Sequence, residues 1–272
     1  MGNMTTGTRI TIFYLALLFL FVLILPGYSL AQTAEEKGLA IALEADRQDT
    51  GYGDLMADMV MILRNKHGEE SLRKIRFRSL EVDNDGDKSL TIFDSPKDVA
   101  GTAFLNFTHK VGDDDQWLYL PALKRVKRIS SRNKSGSFMG SEFAYEDIAN
   151  QEPEKYSYKW LRDEQYDGMD CFVIERYPVD RENSGYSRQV AWIDKDAYRT
   201  RKVEYYDRKD ALLKTLTMSG FEQYLGKYWR PAKMLMINHQ TGKSTELQFT
   251  NYQFNVGLND DDFNKNSLKR LR

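Results

Sequence analysis

The residue types that most often carry out chemistry are few in this chain. Three histidines, His67, His109 and His239, lie in unrelated segments and have no partner at the short spacing of a metal site. The zinc-protease, serine-hydrolase and phosphate-loop motifs are missing from the sequence. The single cysteine, Cys171, lies in the strand-like run GMDCFVIERY, which is typical of a buried core thiol. The sequence therefore predicts no catalytic residue, no metal site and no cofactor.

An acidic run could be mistaken for a calcium loop. DNDGDKSLTIFD, residues 83–94, places aspartates at positions 1, 3, 5 and 12 of such a loop. However, the glycine is Gly86, whereas the loop needs it at Lys88, and the flanking segments are strand-like rather than helical. A hairpin turn through Asp85 and Gly86 explains the same residues, and this turn is our prediction.

Six basic residues stand close together in a chain whose net charge is -1. The overall balance argues against a nucleic-acid-binding protein, which would carry a dominant basic footprint. Two interpretations stay open for the cluster. It is either a solvated strand and loop that protects a sheet edge, or a docking patch for an acidic partner or anionic lipid headgroups. The candidate partner-docking residues are Lys124, Arg125, Lys127, Arg128, Arg132 and Lys134.

The elements that must position these residues are mainly strands. Apolar and polar residues alternate with period two through most of the chain, which predicts antiparallel strands. Turn signals separate the later strands at Asp167–Gly168, 208–211, Leu225–Lys227 and Thr241–Gly242. We expect about ten strands in successive hairpins, without the intervening helices of a parallel sheet.

Two helices are expected besides the strands. Residues 33–49 predict one helix, with Leu39, Ala40 and Leu43 along its packing stripe. Residues 141–150 predict a second, shorter helix. The predicted fold class is mainly β, a strongly curved antiparallel sheet that forms an incomplete barrel, with a few helices covering its concave face. A sheet curved in this way often encloses a cavity.

Methionine and tryptophan are frequent in the predicted strands. Methionine adapts to irregular apolar shapes, and a set of such residues on the inner face of a curved sheet would suit acyl chains. Each residue singly could equally be ordinary core. Alternation within the strands predicts that the set points to the concave side. The candidate lipid-cavity residues are Leu55, Met59, Met61, Leu63, Trp117, Tyr119, Trp192, Met218, Met234 and Met236.

The segment SFMGSEFAYEDIAN, residues 137–150, is too apolar for a free loop. Glycine gives the segment conformational freedom, and Ser141 is placed to cap the short helix. We predict a lid that lies on the open face of the sheet and can open. The alternative is a permanent plug that completes the core. The candidate lid residues are Phe138, Met139, Gly140, Phe143 and Tyr145.

Several stretches together resemble a known family. WLYLPALKRVKRI and FMGSEFAYEDI, followed by WID, YRTRKVEYYD, LLKTL and DDDFN, are similar to the periplasmic outer-membrane lipoprotein-sorting proteins, the LolA-like family. The resemblance runs from about residue 45 to the end, and residues 117–148 resemble the branch found beside RND-type (MMPL) inner-membrane transporters. It implies a LolA/LolB-like incomplete barrel plugged by helices, which carries lipid or lipid-modified cargo. The shorter carriers of the group lack FMGSEFAYED, so their cargo and partner residues do not carry over.

The N-terminus predicts export. The apolar run ITIFYLALLFLFVLIL precedes Pro26 and Gly27, and Ser29–Ala31 offers the small residues that a signal peptidase reads. We expect a signal peptide over residues 1–31 and one periplasmic domain over residues 32–272. The alternative is an uncleaved anchor in the inner membrane with the domain facing the periplasm.

The predicted function is that of a non-enzymatic periplasmic carrier. It would bind lipid or lipid-modified cargo in an apolar cavity and move it between the inner and outer membranes, with an RND/MMPL-type transporter as a partner. The alternative is an accessory subunit of an envelope transporter complex that binds no lipid. A third possibility is a hydrolase that carries none of the usual motifs.

Overall fold

A computed structural model describes residues 32–270 of the 272-residue chain, all within one compact unit. The predicted signal peptide lies outside these residues. The α-helices are α1 (Ala34–Asp49) and α2 (Tyr145–Ile148). The strands are β1 (Asp54–Arg64), β2 (Glu70–Leu80), β3 (Lys88–Ser95), β4 (Ala103–Phe107), β5 (Asp115–Leu120), β6 (Arg125–Ile129), β7 (Tyr156–Tyr166), β8 (Met169–Pro178), β9 (Tyr186–Asp194), β10 (Thr200–Asp207), β11 (Leu212–Tyr224), β12 (Tyr228–Asn238) and β13 (Ser244–Phe254). Short 3₁₀ helices span Pro121–Leu123, Ser131–Asn133, Pro153–Lys155, Asp260–Phe263 and Leu268–Arg270.

The described strands form one antiparallel sheet of 13, rather than the expected ten or so, in the order β6-β5-β4-β3-β2-β1-β13-β12-β11-β10-β9-β8-β7. Two meanders, β1–β6 and β7–β13, meet where β1 pairs with β13, with Met59 opposite Phe249. The edge strands β6 and β7 do not pair with each other, so the curved sheet stays unclosed. The predicted fold class is therefore confirmed.

The predicted turns join the strands where the sequence placed them. Asp167 and Gly168 both adopt positive φ between β7 and β8, and Leu225 and Gly226 do so between β11 and β12. Residues 83–87 of the acidic run lie in the loop between β2 and β3, and the rest of the run belongs to β3. The run forms a turn, as expected, but the turn is at Asp83 and Asn84, where Asn84 has positive φ, rather than at Asp85 and Gly86. Because each turn fixes the register of its hairpin, it also fixes which side chains share a face of the sheet.

Helix α1 packs against β7 through a different face from the predicted one. Its buried residues are Gly38, Ile41 and Ala42. A Cβ atom on Gly38 would lie 2.7 Å from the backbone nitrogen of Trp160, so glycine allows the helix to reach the strand backbone. The packing-stripe prediction was wrong, because small residues rather than large ones set the closest approach. The members of the predicted stripe, all exposed, are Leu39, Ala40 and Leu43.

Both faces of the sheet bury apolar side chains. In β4, Phe104 contributes to the core on the concave face, whereas Ala103 and Leu105 pack on the convex face. The C-terminal segment covers this part of the convex face with Phe263 and Leu268, which are almost fully buried. Apolar alternation alone therefore does not identify the inner face of these strands.

Candidate functional site

The concave side of the sheet encloses a cavity of about 1100 Å³. Its volume lies slightly above the range of ~300–1,000 Å³ that is usual for ligand sites. Strands β8–β13 and β1, helix α1 and the segment 137–150 contribute to its wall. The wall is largely apolar in its interior and becomes polar towards one end.

Five predicted cavity residues line this cavity, namely Leu55, Met59, Met61, Met218 and Met234. Three of the methionines belong to one row of cross-strand neighbours, in which Met218 pairs with Met234, Met234 with Leu247, and Leu247 with Met61. Leu63 and Met236 belong to the same apolar cluster on the concave face but do not line the cavity. The flexible, unbranched methionine side chains of this row give the cavity a lining that can adapt to its contents.

The other three predicted cavity residues lie on the convex face, and their placement was predicted incorrectly. Trp117 and Tyr119 belong to the cluster that the C-terminal segment covers. Trp192 packs with Cys171 on the outer face of β8 and β9, and its indole Nε1 donates to Glu164 at 3.1 Å. The alternate residues of these strands face inward. Size and aromatic character did not separate the two faces, because both are apolar.

The sequence interpretation missed an aliphatic row in the wall. Ile174 pairs with Ala191, Ala191 with Val203, and Val203 with Leu216, so one line of side chains crosses β8 to β11 on the concave face. Alternation within each strand, combined with the four turn positions, would have aligned these residues. The prediction selected aromatic residues and methionines as cavity residues and therefore omitted these aliphatic ones.

The segment 137–150 closes one end of the cavity. Phe138 and Phe143 line the cavity, and only 1% of each is exposed. The Phe138 ring lies 5.1 Å from that of Phe104 and 5.5 Å from that of Tyr145, both in edge-to-face contact. Met139 packs at the edge of the same cluster. The apolar residues that made the segment conspicuous therefore complete the inner core.

A buried ion pair holds this segment to the sheet. Lys214 Nζ lies 2.6 Å from Asp147 Oδ2 and donates to the Glu142 carbonyl oxygen at 2.9 Å. The side chains of Lys214 and Asp147 are 4% and 2% exposed. Tyr186 donates its hydroxyl to Asp147 Oδ1 at 2.8 Å, and burial raises the pKa of Tyr186 well above its usual value. Removing one of the two charged side chains destabilises the fold, because the remaining charge stays buried without a partner.

Further polar contacts fix the same segment. Glu142 accepts a hydrogen bond from Asn238 at 2.7 Å, and Glu146 accepts from the Ser184 hydroxyl and the Gly185 backbone N–H, both at 2.8 Å. Burial raises the pKa of Glu146. These contacts favour the fixed plug over the movable lid, although opening of the segment stays a prediction. We call residues 137–148 the plug segment from here on.

The predicted helix of the plug segment is shorter than expected. Helix α2 comprises only Tyr145–Ile148. Ser141 does not cap it, because its hydroxyl donates to the Phe138 carbonyl oxygen at 2.7 Å. The carboxylate of Asp147 instead accepts from the Ala144 backbone N–H at 2.6 Å. Local side-chain bonding therefore competes with the helix over its first predicted turn.

The other end of the cavity is open to solvent. Its lining includes turn residues such as Asp196 and Lys227, which are exposed, whereas the lining at the plug segment is buried. Trp229 and Phe221 give this end an aromatic wall, and the Arg199 guanidinium lies 4.3 Å from the centre of the Trp229 ring. We call this end the mouth.

The basic cluster lies along the edge strand β6 and the segments on either side of it. Lys124, Arg125, Lys127 and Arg132 are exposed. Arg128, the fifth, is exposed as well but lies 2.5 Å from the Asp115 carboxylate. On the convex face, Lys265 and Lys269 line a shallow groove with three of the cluster residues and Trp117. The groove extends the positive surface beyond the residues that the sequence suggested.

The last member of the basic cluster has a different role. Lys134 Nζ donates to Asp180 Oδ2 at 2.6 Å, and its side chain is only 24% exposed. This contact ties the connection between β6 and β7 to the loop that follows β8. Lys134 therefore contributes to the structure of the connection, and its part in a docking patch stays a prediction.

Two of the three histidines contact neighbouring polar side chains. His109 Nδ1 lies 2.7 Å from Asp85 Oδ2, and this contact raises the pKa of His109. His239 contacts the Thr215 hydroxyl at 2.8 Å on the surface. Within residues 32–270, no group of three or more His, Cys, Asp or Glu residues is placed to hold a metal ion. No helix in this part of the chain is long and apolar enough to cross a membrane.

Comparison with solved structures identifies the family. An outer membrane lipoprotein-sorting protein domain from Vibrio parahaemolyticus is 62% identical, with 87% of this chain and 100% of that chain covered and a TM-score of 0.85. The chain belongs to the outer membrane lipoprotein-sorting protein family. A DUF1329 family protein from Desulfovibrio piger is 34% identical over 87% of this chain and 99% of that chain, with a TM-score of 0.81.

More distant similarity extends to the fold of the LolA superfamily. A LolA superfamily protein from Nitrosomonas europaea is 23% identical over 84% of this chain and 98% of that chain, with a TM-score of 0.68. A family profile described as an uncharacterized protein matches residues 85–270. A search of curated proteins finds no match. The lipoprotein-sorting family is non-enzymatic, and the resemblance of the sequence to this LolA-like family is confirmed, whereas the similarity to the RND/MMPL-associated branch stays a prediction.

Proposed function

We propose that this protein is a periplasmic carrier, which binds the acyl chains of lipid or lipid-modified cargo and moves them between the inner and outer membranes. The observation that carries the proposal is the methionine-lined cavity of about 1100 Å³, closed by the plug segment and open at the mouth. The description of the Vibrio relative as a lipoprotein-sorting protein supports a lipid-modified cargo. Periplasmic location agrees with the export signal predicted over residues 1–31.

The physical requirement for such a carrier is a dry space that shields acyl chains from water. Each exposed CH₂ group costs about 0.8 kcal/mol, so even a short acyl chain gains several kcal/mol on entering the cavity. A carrier must also release its cargo, which disfavours a rigid, closely complementary site. Met59, Met61, Met218 and Met234 provide a lining that can repack around different chains.

Filling the cavity tests this proposal. Met218→Trp places a larger side chain in the cavity wall. Met56→Trp in β1 is the control, because Met56 does not line the cavity. Each CH₂ group of a fluorescent fatty acid that the larger side chain excludes from the cavity should weaken its binding about fourfold. Titrations of both variants at equal protein concentration measure the difference. Equal binding of the fatty acid by Met218→Trp and the wild type would show that the cavity does not hold the acyl chain.

The basic residues along β6 are proposed as the docking surface for the membrane stage of transport. Arg125 and Lys127 are exposed on the edge strand β6, which pairs on one side within the described sheet, and Lys124, also exposed, directly precedes it. An inner-membrane RND/MMPL-type transporter with an acidic face, or anionic headgroups around it, would complement this surface. The unpaired edge also offers backbone donors and acceptors for a partner strand.

The same edge strand supports a second candidate function. An accessory subunit of an envelope transporter complex would use β6 for protein contacts and would bind no lipid. A stable complex that forms with empty protein and is unaffected by Met218→Trp would favour the accessory subunit. Formation or dissociation of the complex that depends on bound lipid would favour the carrier.

A further inference from the structure

The mouth of the cavity carries carboxylates without an ion-pair partner among the described residues. Asp46, Glu81, Asp87 and Glu152 all line the cavity, and none of them forms an ion pair with another residue of the part described, 32–270. They come from three elements, namely the end of α1, the loop between β2 and β3, and the chain just after the plug segment. Other acids at this end are paired, for example Asp49 with Arg230.

Glu152 is the most unusual of the four. Only 6% of the residue is exposed, yet its carboxylate has neither a hydrogen bond nor an ion pair with any described residue. Its Oε1 lies so close to Gly86 that a Cβ atom there would be 2.9 Å from it. Buried carboxylates normally have partners, because burial without one is costly. An unpartnered carboxylate that lines an open cavity is available to accept a hydrogen bond from a ligand.

Asp87 faces the same space with neutral donors alone. Its Oδ2 accepts from the Tyr52 hydroxyl at 2.8 Å and from the Asn150 amide at 2.6 Å. Glu81 accepts from two backbone N–H groups, those of Gly51 and Gly53. These donors orient the carboxylates but leave their negative charge uncompensated.

The electrostatic consequence agrees with this geometry. Burial, followed by the charges of Asp87 and Asp46, raises the pKa of Glu152 to about 7. Burial likewise raises the pKa of Asp87 to about 6. The cations Lys110 and Lys155 lower the pKa of Glu152, but not enough to offset these effects. Lys155 is itself bonded to Asp114.

We propose that this acidic mouth binds the ammonium group of a lipid whose acyl chains occupy the cavity. Lipids that carry a primary or quaternary amine are then the preferred class of cargo. The inference rests on the carrier function proposed above and adds the chemistry of the headgroup. An ammonium supplies the donors and the positive charge that Glu152 lacks.

A metal ion is a poorer occupant of the same place. A divalent cation requires several oxygen ligands converging within about 2.0–2.6 Å of one point. The acids of the mouth do not converge, because no described group of three or more acidic, His or Cys residues is placed to hold a metal ion. A diffuse ring of carboxylates fits an ammonium group, whose contacts are longer and less directional.

The test compares two lipids that differ only in the amine. Phosphatidylethanolamine and its N-acetylated form, with identical acyl chains, are titrated at pH 8 against the full-length protein in detergent. We expect the amine-bearing lipid to bind at least fivefold more tightly. Glu152→Gln and Asp87→Asn should abolish this preference while the N-acetylated lipid still binds, and far-UV circular dichroism identical to that of the wild type shows that the variants are folded. Glu154→Gln, an exposed neighbour that does not line the cavity, should keep the preference.

The other outcomes separate the two proposals. Equal affinities for the two lipids, or no effect of either variant, would overturn the ammonium site and leave the carrier intact. Failure of both lipids to bind would overturn the carrier function as well. Free ethanolamine that binds as tightly as the lipid, or calcium that displaces the lipid, would show that a free amine or a metal ion is the true occupant.

Discussion

Replacing Lys214 with methionine should destabilise the fold severely. In the wild type, Lys214 Nζ contacts Asp147 Oδ2 at 2.6 Å and the Glu142 carbonyl oxygen at 2.9 Å, and both ionised side chains are almost fully buried. Methionine keeps most of the side-chain volume but leaves the Asp147 carboxylate without a cation. Tyr186 and the Ala144 backbone remain as its donors.

The structure offers a matched pair that sets the magnitude. Lys195 and Asp163 are also 2.6 Å apart, but their side chains are 34% and 44% exposed. An exposed pair contributes about 0–1 kcal/mol, whereas removing one partner of a buried pair costs about 3–5 kcal/mol. We therefore expect Lys214→Met to lower the free energy of unfolding by about 3–5 kcal/mol and Lys195→Met to have a much smaller effect.

Urea denaturation followed by tryptophan fluorescence measures both values. The double variant Lys214→Met with Asp147→Asn should recover about 1–3 kcal/mol of the loss, because no unpaired charge then stays buried. A loss for Lys214→Met as small as that for Lys195→Met would refute the buried ion pair as the anchor of the plug segment. A double variant no more stable than the single one would do the same.

Three further predictions concern the mouth, the docking surface and the plug segment. Because the folded protein raises the pKa of Glu152 from 4.5 to about 7, the native state holds more protons than the unfolded state, and this residue makes stability fall as pH rises between those values. Glu152→Gln should thus stabilise the protein by up to about 3 kcal/mol at pH 8 and by nothing at pH 4 in urea titrations, and destabilisation at pH 8 would contradict the assignment. Changing Lys124, Arg125 and Lys127 to Glu should reduce co-sedimentation with anionic vesicles in a salt-dependent way. The control variant Lys243→Glu, on the β12–β13 turn, should have no effect. If neither salt nor the triple change alters vesicle binding, the cluster is a solvated edge rather than a docking surface. Amides of residues 138–146 should exchange with deuterium as slowly as those of β11 if the plug is fixed, and exchange faster than the strands would support the lid.

Much of the fold follows from local sequence patterns. Positions such as Asp167–Gly168 and Leu225–Lys227 specify tight turns, so the hairpins and their register are readable before any tertiary contact is known. Residues 33–49 were predicted as a helix, and α1 differs from that range by one residue. The concave placement of Met59 and Met218 follows from alternation once those turns are set.

Other features depend on packing that no local pattern encodes. Trp117 and Trp192 lie on the convex face because the C-terminal segment and neighbouring side chains make that face apolar too. The inward Lys214 looks like a solvated strand residue in the sequence, and only its partner 67 positions away explains its burial. The unpartnered state of Glu152 likewise depends on which elements meet at the mouth.

The most direct test of the carrier function is mass spectrometry of lipid extracted from protein purified out of its native envelope. We expect wild-type protein to contain about one acylated molecule per chain and Met218→Trp to contain much less, because the variant fills the cavity. Protein that folds normally and retains no lipid, in both the wild type and the variant, would contradict the carrier function.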